Sequence, residues 1–146
     1  RNYAMIEDNQ RTVRRMMRGG YYDDGRLSIR SVKLTTDGVL RTRNAALLAP
    51  YSDDSTRRGI LLQTPEDLDR IVKEIAATNF QLATRAVGDS ANRFVLDLYG
   101  KYLKDNSKRR WRIEHANVVD EQDFEKFDRF KIIPSVQPTH ATSDAP

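Results

Sequence analysis

No cysteine occurs in the 146 residues. Disulfides and thiolate-held metals are therefore excluded, and His, Lys, Asp and Glu are left as the side chains able to ligate or catalyse. This absence does not decide the compartment. No apolar run approaches the roughly 18 residues of a membrane span, so no transmembrane segment is expected. Neither low-complexity tract nor linker interrupts the chain, and no glycine-rich fingerprint follows any candidate strand, which counts against a dinucleotide-binding domain. Length sets a further bound: the chain can bury the core of one ordinary domain but is too short for a complete eight-stranded barrel. The opening Arg1, and Pro146 shortly after a strand-like stretch, read as the ends of a piece cut from a larger protein. A missing signal peptide then says nothing about export.

What is present is a charged chain, with 32% Asp, Glu, Lys and Arg, a net charge of +4 and a pI near 9.5. Arg11, Arg14, Arg15 and Arg18 form one basic cluster, and Lys108, Arg109, Arg110 and Arg112 another. The first lies at helical spacing beside Val13, Met16 and Met17, as a solvated helix face would. Neither cluster is interleaved with aromatics for stacking on bases, so no nucleic-acid partner is expected.

Periodicity places the elements. Residues 3–18 read as a helix with Ile6, Val13, Met16 and Met17 inward, stopped by Gly19 and Gly20. Leu27 to Leu34 reads as a strand. From Thr35 to Gln63 there is little periodicity, and a loop of that length inside a compact domain implies function; it is expected to lie over the active site. Thr64, Pro65, Glu66 and Asp67 then open a helix with a hydroxyl cap, proline at the first position and acids in the first turn. Its inward residues are Leu68, Ile71, Val72 and Ile75. A strand through Arg85, a helix from Ser90 to Leu103, a strand from Trp111 to Ala116, a short helix capped by Asp120 with Phe124 and Phe127 inward, and a strand from Lys131 to Val136 complete the order.

Strands joined through helices run parallel. The residues with chemistry to offer fall at the C-terminal ends of those strands: Lys33, then Val87, Gly88 and Asp89, then His115, then Gln137, Pro138, Thr139 and His140. Both an open doubly wound sheet and a barrel arc use that edge for active sites. The reading adopted is α/β, a partial (β/α)₈ TIM-type barrel.

At these positions the sequence resembles the amidohydrolase superfamily, in particular its amidohydrolase 3 branch, which includes enzymes similar to N-substituted formamide deformylase. The resemblance rests on Val32, Lys33 and Leu34 with Asp37 and Gly38; on Ala45 to Leu48 with Pro50 and Tyr51; on Ala86, Val87, Gly88, Asp89 and Ala91; on Arg112 to Ala116; and on Ser135 to His140. It implies that residues 1–146 are the central fragment of a metal-dependent hydrolase barrel domain, strands four to seven. The first-strand His-x-His pair and the eighth-strand aspartate would lie outside it. An isolated four-strand arc would expose two sheet edges and an inner face, so it is expected either to self-associate, with a homo-oligomer as one outcome, or to be poorly stable.

By the same resemblance Lys33 matches a lysine that is carboxylated and bridges two metals, since an ammonium has no lone pair; a surface lysine is the equal alternative. His115 matches a metal ligand, neutral imidazole being suited to zinc. Asp89 would orient the site or cap the following helix, and His140 would lie over the substrate or in an exposed loop. The implied cofactor is a divalent metal, zinc foremost. The implied substrate is a small-molecule amide or N-formyl compound, cleaved at a non-peptide carbon–nitrogen bond by metal-activated water, with the fragment alone inactive. One position departs. Where the family carries a fifth-strand histidine this chain has Arg85, and a guanidinium offers a metal no lone pair. A noncatalytic relative that binds a small anion through Arg85 and the Gly88–Asp89 turn is therefore the alternative reading, and a basic surface module a third.

Overall fold

The computed structural model describes residues 2–7, 10–105 and 107–143, with Gln10 and Ser143 described by their backbone alone. In chain order the elements are strand β1 (Asn2–Glu7), helix α1 (Gln10–Gly19), strands β2 (Tyr22–Asp23) and β3 (Leu27–Thr35), helix α2 (Pro65–Ala76), strand β4 (Gln81–Ala86), helix α3 (Asp89–Tyr102), strand β5 (Arg112–His115), helix α4 (Phe124–Phe130), strand β6 (Ile133–Ser135) and helix α5 (His140–Ser143). One sheet runs β1-β3-β4-β5-β6 with every pairing parallel, and the short β2 lies antiparallel on β3. Parallel strands alternating with helices make this an α/β arc of the barrel type.

The two faces of the arc differ in chemistry because side chains alternate along each strand. Val32 and Leu34 of β3, Leu82 of β4 and Ile113 of β5 are buried on the helix side, against Leu68, Ile71, Val72 and Ile75 of α2 and Val95, Leu96 and Tyr99 of α3. Trp111 is fully buried and meets the Tyr99 ring edge-on at 4.7 Å. On the opposite, inner face the registers Lys33↔Ala83, Thr35↔Arg85 and Arg85↔Glu114 put Lys33, Arg85 and Glu114 together. The start of α2 follows its sequence: the Thr64 hydroxyl accepts from the Asp67 N–H at 3.2 Å and Pro65 takes the first helical position.

Three expectations are corrected. Residues 2–7 are a strand rather than the first part of a helix, pairing with β3 and burying Ile6 there. Ile6 and Val13 both face inward, but from two different elements, so their spacing mimicked one helix face; residues 8 and 9 between them lie outside the described residues. The arc therefore has five parallel strands rather than four. Phe124 is exposed at 55% although Phe127 packs on the core. Within α4, which starts at Phe124, the core face runs through Phe127 and Phe130, and Phe124 at the first position falls off it, since residues three apart in a helix share a face and residues six apart do not.

Candidate functional site

The segment between β3 and α2 is bound down along its length. At its root Asp37, fully buried, accepts from the backbone N–H groups of Ala46 (3.0 Å), Val87 (2.9 Å) and Gly88 (2.9 Å). Burial pushes the Asp37 carboxyl above its usual range, while those donors and the Arg85 guanidinium pull the other way. Ala46 returns the contact, its carbonyl accepting from Ser90 N–H at 3.1 Å. The approach is so close that a Cβ on Gly88 would stand 2.0 Å from the Ala46 oxygen. Asp89, the first residue of α3, accepts from Leu48 N–H and Ser90 N–H, both at 2.8 Å. Asp89 thus ties the loop to the helix, and Gly88 rather than Asp89 holds the cap position.

Arg85 ends β4 on the inner face. Its Nη1 donates to the Asp37 carbonyl and, at 3.1 Å, to the Gly38 carbonyl, and stands 3.7 Å from the Asp37 carboxylate. The side chain is only 15% exposed. The strand-end arginine is therefore held by the turn that follows β3. Lys33 lies on the neighbouring strand and the same face, solvent-exposed and one side-chain step further from the strand ends.

The C-terminal ends of β5 and β6 are built differently. His115 and Ala116 have positive φ angles of 77° and 44°, a region costing non-glycine residues of order 1–3 kcal/mol each. The chain turns sharply there and is held to the end of β4 by Ala116 N–H on Ala86 O and Val118 N–H on Val87 O, both 3.0 Å. This brings the His115 ring within 5.3 Å of the His140 ring, centre to centre. Asn117 Nδ2 lies 2.9 Å from His140 Nδ1. A cavity of about 310 Å³ opens between them, lined by His115, Asn117, Gln137, His140 and Leu40 of the long loop. His115 Nδ1 and Gln137 Oε1 are buried there with no hydrogen-bond partner. Burial, followed by the positive charges of Arg85 and His140, pushes the His115 imidazole below its usual pKa, against the pull of Glu114 and of the nearby Gln137 amide, which does not reach hydrogen-bonding geometry with Nδ1. A neutral imidazole with an unused buried lone pair is the state that can ligate a cation or accept a proton.

The structure thus brings His115 and His140 together and places Arg85 near enough to act on His115 electrostatically. Lys33 and Asp89 do not line the cavity. No group of three or more His, Asp or Glu close enough to hold a metal ion occurs among the described residues. Their fit to a metal is accordingly partial: His115 offers one free nitrogen, and Arg85 at the neighbouring strand end offers none. Two participants were not legible as such. Asp37 reads in sequence as one residue of an Asp-Gly turn, and nothing in its spacing announces bonds to residues 50 positions away. Asn117 follows the strand without a motif of its own.

Known proteins resemble this chain in sequence and fold. The chain is 33% identical over 121 residues to Protein LONG AFTER FAR-RED 3 of Arabidopsis thaliana, covering 82% of this chain and 21% of that protein. Its fold superposes with a TM-score of 0.84 on an uncharacterized metal-dependent hydrolase from Pyrococcus horikoshii, at 32% identity over 97% of this chain and 28% of that one. A second uncharacterized metal-dependent hydrolase, from Pyrococcus furiosus, gives a TM-score of 0.84 at 28% identity over 97% of this chain and 29% of its own. The chain spans between a fifth and a quarter of the length of the curated relatives it matches. Residues 3–145, which include every strand end described above except the first residue of β1, match the amidohydrolase family, and the chain belongs to that family.

Proposed function

We propose that residues 1–146 form the central part of a metal-dependent hydrolase barrel domain that cleaves a non-peptide carbon–nitrogen bond, an amide or N-formyl group, in a small molecule. In this reading β3, β4, β5 and β6 are the fourth to seventh barrel strands and β1 is the third. The observation that carries it is the His115–His140 pair at the C-terminal strand ends, with a half-buried imidazole whose pKa is pushed down and whose buried Nδ1 has no hydrogen-bond partner. Barrel enzymes place their chemistry at that edge, and the family membership and the hydrolase neighbours support the reaction class. A bound divalent ion, zinc foremost, would supply Lewis acidity and an activated water.

The chain's own residues would then divide the work. His115 would give a neutral nitrogen to the ion, and its strained backbone would fix where that nitrogen stands. His140, with one ring nitrogen against Asn117, would face the substrate across the cavity and hold or release a proton there. Lys33 would join the metal site only as its carbamate, since the ammonium has no lone pair. Asp89 would act at a distance, holding the Leu48 loop against α3. The test is metal analysis and formate release from N-formyl amines with the full-length protein, before and after chelation, together with His115→Ala. Hydrolysis that survives complete metal removal, or is untouched in His115→Ala, would sink the proposal.

A further inference from the structure

Among the described residues no Asp, Glu, Lys or Arg lines the cavity of about 310 Å³ beside His115 and His140. Its polar lining is amide and imidazole: Asn117 Nδ2 lies 2.9 Å from His140 Nδ1, and the Gln137 amide donates to Ser135 O at 3.3 Å. Leu40, Ala116, Val136, Pro138 and Ala141 make up the rest of the wall. Val136 is 57% exposed, and Pro138 and Ala141 are exposed as well, so hydrocarbon stands uncovered at the mouth. A charged substituent entering there would give up water without meeting a Lys, Arg, Asp or Glu to pair with, whereas an apolar one would take hydrocarbon out of water on both surfaces.

Leu40 differs from the other apolar wall residues in where it comes from. Those belong to the ends of β5 and β6 and the turns after them, while Leu40 is carried across by the segment between β3 and α2. It is held firmly there. Leu40 opens a 3₁₀ turn, Leu40–Thr42, closed by Arg43 N–H on Leu40 O at 2.8 Å. The Val39 carbonyl accepts from Asn44 and Ala45 N–H at 3.2 and 3.3 Å, and Gly38 N–H donates to Asn44 O at 3.1 Å. Arg85 fixes the root of the turn through the Gly38 carbonyl at 3.1 Å. From this juxtaposition of a fixed leucine and a cavity without charged walls we propose that Leu40 is the specificity-determining residue of the site: it lies against an uncharged hydrocarbon substituent of the substrate and sets the length that fits. The inference rests on the hydrolase reading above and names its substrate class, amides or N-formyl amines whose substituent is hydrocarbon rather than an acid or an ammonium.

The full-length protein tests it in three measurements. Along N-methyl-, N-ethyl-, N-propyl- and N-butylformamide, kcat/KM should rise about fourfold for each methylene buried, through KM rather than kcat. N-formylglycine should fall about tenfold or more below N-propylformamide, as a charge desolvated without a partner would. Leu40→Trp should end the rise at shorter chains, and Leu40→Ala should carry it to longer ones. Calorimetric titration of the wild-type protein with N-butylacetamide, which requires neither turnover nor a folded variant, should show saturable binding that N-acetylglycine does not compete away. A series flat in chain length, a preference for N-formylglycine, Leu40 variants that change every formamide by the same factor, or no saturable binding of N-butylacetamide would overturn the inference and leave the hydrolase reading standing. Inertness toward every formamide would overturn the hydrolase reading and the inference with it.

Discussion

Two neighbouring strand ends of this molecule are finished in opposite ways. Around the end of β4, Asp37 accepts three backbone N–H groups, Ala46 O and Asp89 Oδ1 take further donors of α3 and the loop, and Gly88 admits the loop backbone to a distance no side chain would allow. Around the ends of β5 and β6, the backbone is forced into positive φ at His115 and Ala116, and two polar atoms facing a cavity are buried without partners. A buried polar group left unsatisfied costs of order 1–3 kcal/mol. The first region therefore gives rigidity to the fold, and the second withholds bonding capacity from the fold and keeps it for something that binds. Local strain is tolerated at the second because the first is over-determined beside it.

The largest effect should come from cutting the hub of the bound side. Asp37→Ala would strand three buried N–H donors and deprive Arg85 of its nearest anion, a loss of about 4 kcal/mol in chemical denaturation of the full-length protein. A loss below about 1 kcal/mol would erase the contrast between the two regions. Gly88→Ala comes next. Its methyl would meet the Ala46 carbonyl at 2.0 Å, and the forced separation of loop from helix should cost about 3 kcal/mol, visible as a lower denaturation midpoint and faster proteolysis within the loop.

A third test asks whether buried carboxylates elsewhere in the fold behave like the bound side. Asp123 is buried; burial alone would raise its carboxyl, but Lys126 at 2.8 Å and Arg93 at 2.8 Å outweigh it and hold the group below the usual 3.8. The sign follows directly. A folded-state pKa below the unfolded one stabilises the protein above pH 3.8, and that stability is lost as pH falls through the depressed value. Asp123→Asn should cost about 2 kcal/mol near neutrality and flatten the acid limb of a stability-versus-pH titration. An unchanged acid limb would refute the assignment. The smallest effect is expected on the open side: His115→Asn keeps a residue that tolerates positive φ and should change stability by about 1 kcal/mol or less while abolishing metal uptake. A large loss of stability there would make His115 a structural residue and reverse the comparison.

Much of the framework was legible before folding. The α2 start at Thr64 and Pro65, the four parallel strands β3, β4, β5 and β6, and the position of the candidate residues at their C-terminal ends all follow from capping chemistry and periodicity. The strand Asn2–Glu7 was not legible, because six residues with one buried apolar position carry no period strong enough to separate strand from helix. Nor was the outward turn of Phe124, because the pair Phe124/Phe127 and the pair Phe127/Phe130 have the same spacing and only packing decides which of them faces the core.

The sequence by itself determined which groups are available: two imidazoles, no thiol, and an arginine, Arg85, near the end of a strand. It also determined that these groups end up on one edge, because alternation and the strand–helix order fix that. Only the tertiary structure decided which of them meet. Side-chain identity says nothing about the 50-residue reach from Asp37 to Val87, the positive φ that turns His115 toward His140, or the carbonyls that hold Arg85. Those contacts join segments far apart in the chain, and their geometry exists only once the strands have paired in register.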